Sequence, residues 1–286
     1  MQKYYIVLGS IFFVSSAFAD EVPDFRGFQQ DIVAALSGAD EISPNKYLRE
    51  RASKSGKDYS KKFLIDQIKK LGITPQTQNY GSGENIYGVI PGTKNSNQSV
   101  VIGAHFDTVS NSPGANDNAT GIALALAVAQ FIKSNKCRKH SLIIAFFDEE
   151  EKGLIGSQYF AKLLVSQKND IHSVHTFDQM GWDNDGDRAI ELELPSRKMF
   201  DLYSRVAKQT GFNANIYKTR TSSTDHRSFR KLGFEAVGIT EEYVHGDTTP
   251  HYHRSSDTFD TVNFDYLEST TLLLNNVFRE ILVEGC

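Results

Sequence analysis

Short runs of β-branched and aromatic residues recur along the chain, and each has the length of a β-strand. Five such runs predict strands, at Asn85 to Ile90, Ser99 to Ala104, Ser141 to Phe147, Ser173 to Phe177 and Glu235 to Thr240. Longer segments that are apolar on one side or nearly all round predict helices, at Ser60 to Leu71, Thr120 to Ser134 and Tyr266 to Leu282. Because alternating strands and helices are typical of an α/β fold, we predict a three-layer α/β/α sandwich around a mostly parallel or mixed central sheet.

The first nineteen residues have the features of a secretory signal peptide rather than of a buried strand or helix. Lys3 precedes an apolar run from Ile6 to Val14, and Ala17-Phe18-Ala19 places small residues where signal peptidase needs them. The apolar run is too short to cross a bilayer of roughly 30 Å. We therefore expect cleavage before Asp20, export to the periplasm or the medium, and no membrane association afterwards.

The remaining residues, 20–286, show no repeat, low-complexity tract or linker that would divide them. We therefore expect one domain. The chain has 31 basic and 35 acidic residues, a formal net charge of −4, and no long run of either sign. Nucleic acid is accordingly not an expected partner.

The chain has two cysteines, Cys137 and Cys286, which are far apart in the sequence. Their spacing is not that of a zinc ribbon or a redox pair. An oxidising destination would permit a disulfide that ties residue 286 to the loop at residues 135–139, and the alternative is two unpaired thiols.

Metal-capable side chains follow three of the predicted strands at the point where each strand ends. His105 and Asp107 follow one strand, and the acidic run from Asp148 to Glu151 follows another. Asp178 follows a third. Because ligands of open α/β sheets bind beyond the carboxyl ends of the strands, we expect these side chains to meet at one edge of the sheet, where they would suit a metal ion.

Six motifs occur in a characteristic order along the chain. They are GAHFDT (103–108), PGANDNATG (113–121), FFDEEEKGLIGS (146–157), FDQM with Asp178, TDHRSF (224–229) and PHYHRSSDT (250–258). Together they resemble the zinc aminopeptidases related to bacterial leucyl aminopeptidase and aminopeptidase Y, whose fold is shared with animal glutaminyl cyclases. The resemblance implies that residues 20–286 form a single zinc-peptidase catalytic domain.

The resemblance also implies two zinc ions per chain, with Asp117 as the carboxylate that bridges them. His105 and Asp178 would complete one site, and Glu151 and His253 would complete the other. Two zinc ions about 3.5–4 Å apart can hold one hydroxide and polarise one carbonyl. The implied activity is hydrolysis of the N-terminal peptide bond of peptides that have a free N-terminus.

The acidic run has four carboxylates and must be aligned before a role is given to any of them. In the family a Gly-Leu pair follows the functional Glu-Glu pair after one residue, and Gly153-Leu154 here fixes that pair as Glu150-Glu151. Glu150 would then be the general base that takes a proton from water and passes it to the leaving amine. Asp148 and Glu149 would take no part.

Asp107 lies two residues after His105 and fits the group that orients a metal-bound histidine through its second ring nitrogen. The resemblance further implies a cis peptide between Asp117 and Asn118, an unusual state for a residue other than proline.

Three histidines near the end of the chain compete for one ligand position. The family has a histidine four residues before an Asp-Thr pair, and His253 satisfies this with Asp257-Thr258. His251 is expected on the rim of the pocket or in solvent, and His245 is not expected to bind metal.

In the TDHRSF motif, Asp225 and His226 are expected to be structural or to line the pocket. Some relatives have a tyrosine four residues before this aspartate to stabilise the oxyanion, and this chain has Thr221 there. Oxyanion stabilisation is therefore left to a metal or to a residue that the sequence does not identify.

Three other functions share this fold. Glutaminyl cyclases insert residues after the Glu-Glu pair and have a tryptophan before the last histidine, whereas this chain continues directly to Gly156-Ser157 and has Tyr252 there. A carboxypeptidase would need basic residues for a free carboxylate, for which Arg220, Arg227 and Arg254 are available. A non-catalytic binding module would not be expected to retain all five ligands and the glutamate base.

Overall fold

The computed structural model describes residues 24–286. The predicted signal peptide, residues 1–19, and its cleavage site lie outside the described residues and stay a prediction. Among residues 24–286, no helix combines the length and the apolar character that crossing a membrane requires.

Within the described chain, eight strands form one central sheet. They are β1 (Pro75–Asn79), β2 (Glu84–Ile90), β3 (Gln98–His105), β4 (Ser141–Phe147), β5 (Asp170–Asp178), β6 (Ile190–Glu193), β7 (Ile216–Thr219) and β8 (Ala236–Thr240). Their spatial order is β1-β2-β4-β3-β5-β8-β6-β7. The central strands β4, β3, β5 and β8 are parallel, and β2 and β6 pair antiparallel with the two ends of this group. The sheet is therefore mixed with a parallel centre.

Helices cover both faces of the sheet. In residues 24–286 they are α1 (Phe25–Ser37), α2 (Lys54–Lys70), α3 (Gly121–Ser134), α4 (Ile155–Ser166), α5 (Arg197–Thr210), α6 (His226–Arg230) and α7 (Phe264–Leu282). The larger hydrophobic core joins one face to α1, α2, α3, α5 and α7, and the smaller core joins the other face to α4 and α6. The predicted three-layer α/β/α sandwich is confirmed.

Strand β4 is apolar from Leu142 to Phe147 because both of its faces are covered. In β4 the side chains alternate between the two cores. The larger core takes Leu142, Ile144 and Phe146, and the smaller core takes Ile143, Ala145 and Phe147. Successive side chains of a strand point to opposite faces, so a strand buried on both sides needs the continuous apolar run that made β4 recognisable.

Helix α3 is buried on nearly all sides because it packs on the sheet and contacts both α1 and α7. Its alanine and leucine residues also favour helix formation. The helix follows directly on an irregular helical turn, Ala115–Thr120. The buried helix therefore anchors this turn.

Cys137 and Cys286 form a disulfide, which confirms the bridged alternative. Cys137 lies between α3 and β4, and Cys286 follows α7. The amide of Lys139 also donates to the carbonyl of Leu282 at 2.6 Å. The bridge therefore fastens the end of the described chain to the loop that precedes a central strand.

Candidate metal centre and active site

Three adjacent parallel strands end at one edge of the sheet, and each delivers predicted site residues there. His105 is the last residue of β3 and Asp178 is the last residue of β5. Glu150 and Glu151 follow β4. His253 reaches the same edge from the loop after β8. The parallel pairing of β4, β3 and β5 is what brings these side chains together.

His105, Asp117 and Asp178 form the first group of facing side chains. Nε2 of His105 lies 3.2 Å from Oδ1 of Asp117 and 3.4 Å from Oδ1 of Asp178. All three residues are buried. Within the described part of the chain, Oδ1 of Asp178 accepts no hydrogen bond. A buried carboxylate oxygen without a hydrogen-bond donor is suited to bind a cation.

Asp117, Glu151 and His253 form the second group. Nε2 of His253 lies 3.3 Å from Oδ2 of Asp117 and 2.9 Å from Oε2 of Glu151. The other oxygen of Glu151 is buried and, among residues 24–286, has no hydrogen-bond donor. Asp117 thus offers Oδ1 to one group and Oδ2 to the other, so the two groups share this carboxylate.

The chemistry of both groups fits zinc. Each combines imidazole nitrogen with carboxylate oxygen, the ligand types that zinc accepts. Hydrogen bonds from His253 to Asp117 and Glu151 raise the pKa of this histidine to about 10. Burial alone would lower the pKa of His105, but Glu150 and Asp178 outweigh it and raise this pKa well above its usual value. Such a site binds positive charge strongly, and a divalent cation competes with protons for the same lone pairs.

The turn that carries Asp117 is tied to the strand that carries Asp178. The peptide between Asp117 and Asn118 is cis, as predicted from the resemblance. Nδ2 of Asn118 donates to the carbonyl of Phe177 at 2.8 Å, and its Oδ1 accepts from the amide of Gly121 at 3.1 Å. Asn118 therefore fixes the position of Asp117 relative to β5 and to the start of α3.

Arg51 also holds the turn that carries Asp117, although no sequence motif points to this arginine. Its side chain is fully buried. The guanidinium donates to four backbone carbonyls, at 2.6 to 2.9 Å, those of Leu36, Phe106, Pro113 and Gly114. A single side chain thus joins α1, the segment after β3 and the start of the turn.

Asp107 contacts both His105 and the Glu150-Glu151 pair. Nδ1 of His105 lies 3.1 Å from the backbone carbonyl oxygen of Asp107 and 3.6 Å from its Oδ1. The carboxylate of Asp107 accepts hydrogen bonds from the amides of Glu150, at 3.0 Å, and Glu151, at 3.2 Å. Asp107 therefore orients the histidine through its carbonyl and holds the acidic turn through its carboxylate.

The four carboxylates of the acidic run lie in two different surroundings. Glu150 lines a cavity together with His105 and Asp117. Burial raises the pKa of Glu150 well above its usual range. Asp148 instead lies 3.1 Å from Nζ of Lys57, and Glu149 accepts a hydrogen bond from Ser82. Only Glu150 and Glu151 thus face the ligand groups.

The remaining histidines lie apart from both groups. Nδ1 of His245 lies 2.7 Å from Oε1 of Glu191, and its ring stacks on Tyr217 at 4.1 Å. His251 contacts the hydroxyl of Ser256 at 3.0 Å. Of these three histidines, His253 is therefore the one that faces Asp117 and Glu151.

Asp225 and His226 are buried, and neither belongs to the two metal-capable groups. Burial raises the pKa of Asp225 to about 7. Nδ1 of His226 lies 2.8 Å from the hydroxyl of Thr224 and 3.3 Å from Oε2 of Glu193. These contacts suit the structural role expected of this motif.

The cavity beside the ligand groups is also lined by residues to which the sequence analysis gave no role. They include Gln179, Glu193, Tyr243 and Tyr252, as well as Thr221. The ring of Tyr252 stacks on that of His253 with centroids 3.8 Å apart. The sequence points to Tyr252 only through its position directly before His253, a predicted ligand. Glu193 lies on β6, which has only four residues and is too short to be predicted from the sequence.

The family model for peptidase family M28 matches residues 85–277 of this chain. The aminopeptidase YwaD of Bacillus subtilis is 28% identical over an alignment of 178 positions, and the match covers 59% of this chain and 38% of that protein. The chain thus spans well under half the length of this curated relative.

Solved structures show the same fold at low sequence identity. The LapA aminopeptidase of Legionella pneumophila has a TM-score of 0.75 and 20% identity, over 90% of this chain and 74% of that chain. The glutaminyl cyclase of Bacteroides thetaiotaomicron has a TM-score of 0.73 and 18% identity, over 90% of this chain and 99% of that chain. One fold therefore accommodates two chemistries, and only the site can distinguish between them.

Proposed function

The chain belongs to peptidase family M28, and on that premise we propose that it is an exported zinc aminopeptidase that hydrolyses the N-terminal peptide bond of peptides. One observation carries this proposal. Carboxylates of Asp117, Glu150, Asp178 and Glu193 line the cavity beside the ligand groups, and no lysine or arginine of the described chain does. Oxygen atoms of these acidic side chains can accept hydrogen bonds from the ammonium group of a free N-terminus, and the lining offers no lysine or arginine to a free carboxylate.

We assign two zinc ions to each chain. His105 and Asp178 would hold one ion, Glu151 and His253 would hold the other, and Asp117 would contact both. When bound, zinc supplies Lewis acidity, which polarises a carbonyl and acidifies water. The shared carboxylate and the unpartnered oxygens of Asp178 and Glu151 support this assignment.

Glu150 is the general base in this proposal. Its side chain faces the cavity beside both ligand groups, where positive charge would favour the ionised carboxylate over the protonated form that burial alone favours. The carboxylate takes a proton from the water whose oxygen attacks the first peptide carbonyl. When the carbon–nitrogen bond breaks, Glu150 delivers that proton to the leaving amine. The hydrogen bonds from the amides of Glu150 and Glu151 to Asp107 hold the base in place during both transfers.

A carboxypeptidase fits the cavity less well than an aminopeptidase does. The three arginines near the motifs, Arg220, Arg227 and Arg254, are exposed, and none of them lines the cavity. A substrate carboxylate would therefore meet acidic side chains without a counter-ion.

The proposal is tested with the mature full-length protein on a panel of aminoacyl-p-nitroanilides, N-terminally blocked peptides and peptides that begin with glutamine. We expect release of unblocked N-terminal residues, loss of this activity on chelation, and recovery with two zinc ions per chain. Pyroglutamate formation with one zinc ion would make the protein a cyclase. Cleavage of blocked peptides from their C-terminal end would make it a carboxypeptidase.

A further inference from the structure

A second acidic cluster lies outside the candidate active site. The loop after β5 contains Asp183, Asp185 and Asp187 around Gly186, and the loop after β8 contributes Glu242 and Asp247. One carboxylate oxygen from each of Asp185, Asp187 and Glu242 lies within 4.8 Å of the other two. The same holds for Asp183, Asp185 and Asp247. We call these five residues the loop cluster.

Glu242 distinguishes the loop cluster from an ordinary solvated acidic turn. Its side chain is aimed at Asp185 and Asp187, and the residue is only 8% exposed. Within residues 24–286, its Oε2 has no hydrogen-bond donor. A nearly buried carboxylate that lies close to two further carboxylates and has an oxygen without a donor requires a positive charge or a proton.

The described residues form no ion pair with the loop cluster. Every ion pair within 4.0 Å among residues 24–286 involves a carboxylate outside the loop cluster. Burial raises the pKa of Glu242, the charges of Asp187 and Asp185 raise it further, and His245 opposes this rise without cancelling it. Burial raises the pKa of Asp183 too, and Asp185, Asp187 and Asp247 add to this. The carboxylates repel one another at neutral pH.

We propose that the loop cluster binds a calcium ion through the carboxylates of Asp185, Asp187 and Glu242, with Asp183 and Asp247 adding negative charge. The ligands are all oxygen atoms from an irregular loop. Calcium takes roughly six to eight oxygens in flexible geometry, whereas magnesium demands a near-ideal octahedron. Zinc favours sites with nitrogen or sulfur ligands. The loop cluster therefore selects a different ion from the two groups that share Asp117.

The bound calcium ion joins two loops that both reach the candidate active site. Trp182 precedes the first loop, and its ring nitrogen donates to Asp247 in the second at 2.9 Å. Glu241 accepts hydrogen bonds from the amide of Trp182, at 2.7 Å, and from Nδ2 of Asn116. Tyr243, next to Glu242, lines the cavity. Calcium would thus hold the wall of the cavity that carries Tyr243.

Trp182 is the only tryptophan of the chain and lies directly beside the loop cluster. This permits a test with terbium, which occupies calcium sites and emits when a nearby tryptophan is excited. The full chain is first loaded with zinc, so that the other ligand groups are filled. We expect terbium emission that saturates at one ion per chain, is abolished by calcium and survives an equal concentration of magnesium.

Two variants and a control locate the ion. Glu242→Gln and Asp187→Asn should each weaken terbium binding at least tenfold, while Asp201→Asn, an exposed carboxylate on α5, should leave it unchanged. Calcium at about 100 times its Kd should raise the Tm of the parent by several degrees, and should leave that of Glu242→Gln unchanged. If Glu242→Gln does not fold, terbium binding by Asp187→Asn tests the site instead. Three results would overturn the calcium site: no terbium emission on excitation of Trp182, displacement of terbium by magnesium as effective as that by calcium, or unaltered terbium binding in Asp187→Asn. Each of them is independent of the peptidase assays.

Discussion

Asp257 holds the backbone of Asp117 across 140 positions of sequence, with Oδ2 accepting from the Asp117 amide at 3.0 Å. Its other oxygen, Oδ1, accepts from the amide of Asn116 at 2.8 Å. Asp257 is buried and lies four residues after His253. The segment that presents one proposed zinc ligand therefore also positions the carboxylate that both zinc ions would share.

Replacement of Asp257 by asparagine should weaken zinc retention about 10- to 100-fold, the usual cost of losing a group that orients a ligand. The amide can accept one of the two hydrogen bonds, but its NH₂ group would face the second backbone N–H. Zinc release to a competing chelator measures the effect. Asp260→Asn, on an exposed side chain three residues further on, is the matched control. Equal zinc affinity in Asp257→Asn and the parent would argue against this role.

Glu150→Gln should retain both zinc ions and the fold but lose about 10²- to 10⁴-fold in kcat, because glutamine cannot carry the proton. Glu149→Gln is the matched control. The carboxylate of Glu149 faces Ser82 and Lys152 rather than the cavity. Steady-state kinetics with a measured zinc content separates a lost base from a lost metal. Full turnover in Glu150→Gln would refute the assignment of the base.

Arg51→Lys should lower the free energy of unfolding by at least about 3 kcal/mol, because one ammonium group cannot replace a guanidinium that serves four buried carbonyls. Denaturant unfolding measures this loss. Arg49→Lys, at an exposed position two residues earlier, should change stability by less than about 0.5 kcal/mol. A neutral Arg51→Lys would show that the carbonyls find other donors.

Glu193 should give stability a pH dependence, because burial raises its pKa to about 8 from an ordinary value of 4.5. Between these two values the unfolded chain has lost the proton and the folded chain still holds it. The unfolded state thus binds fewer protons, so the free energy of unfolding falls as pH rises through this window, by up to about 1.4 kcal/mol per pH unit.

Denaturant titrations of the metal-free parent and of Glu193→Gln, at pH values between 4.5 and about 8, measure this dependence. Glu193→Gln should show a flatter pH profile and should exceed the parent in stability at the alkaline end. Glu284→Gln, on an exposed side chain, should follow the parent. Parallel profiles for Glu193→Gln and the parent would rule out this titration.

Loss of the disulfide should lower the free energy of unfolding by about 2–5 kcal/mol, since Cys137 and Cys286 are 149 residues apart and close a long loop. The Cys137→Ser/Cys286→Ser variant and the parent are unfolded with and without a reductant. We expect the reductant to destabilise the parent and to leave the variant unaffected. Equal stability of all four samples would show that the bridge contributes little.

The sequence was most informative where a strand is buried on both faces. β2, β3, β4, β5 and β8 carry runs of β-branched and aromatic residues that predict them, with ends within three residues of those observed. The site was predictable for the same reason. The strands that hold His105 and Asp178 could be seen to end at these residues, and the carboxyl ends of parallel strands share one edge.

The strands that the sequence pattern does not predict lack an apolar run. β1 reads PQTQN and lies at the edge of the sheet, where water can cover it. β6 has only four residues, and two of them are the buried Glu191 and Glu193. Pairing with neighbouring strands, rather than intrinsic preference, makes these segments extended.

The residues that hold the ligand groups in position could not be predicted from the sequence. Arg51 and Asp257 act through contacts with segments more than 50 residues away. Such contacts exist only once the fold has brought the segments together. The wall formed by Tyr243 and Tyr252 has the same origin, because a loop without periodicity does not reveal which of its residues face inward.

The bridge between Cys137 and Cys286 also bears on the survival of the protein among other proteases. Glu151, Asp178 and His253 lie between the two cysteines, whereas His105 and Asp117 precede both. One cut anywhere in residues 138–285 would leave two fragments joined by a covalent bond. All five proposed zinc ligands would then remain in one molecule, and a nicked chain could keep its metal centre.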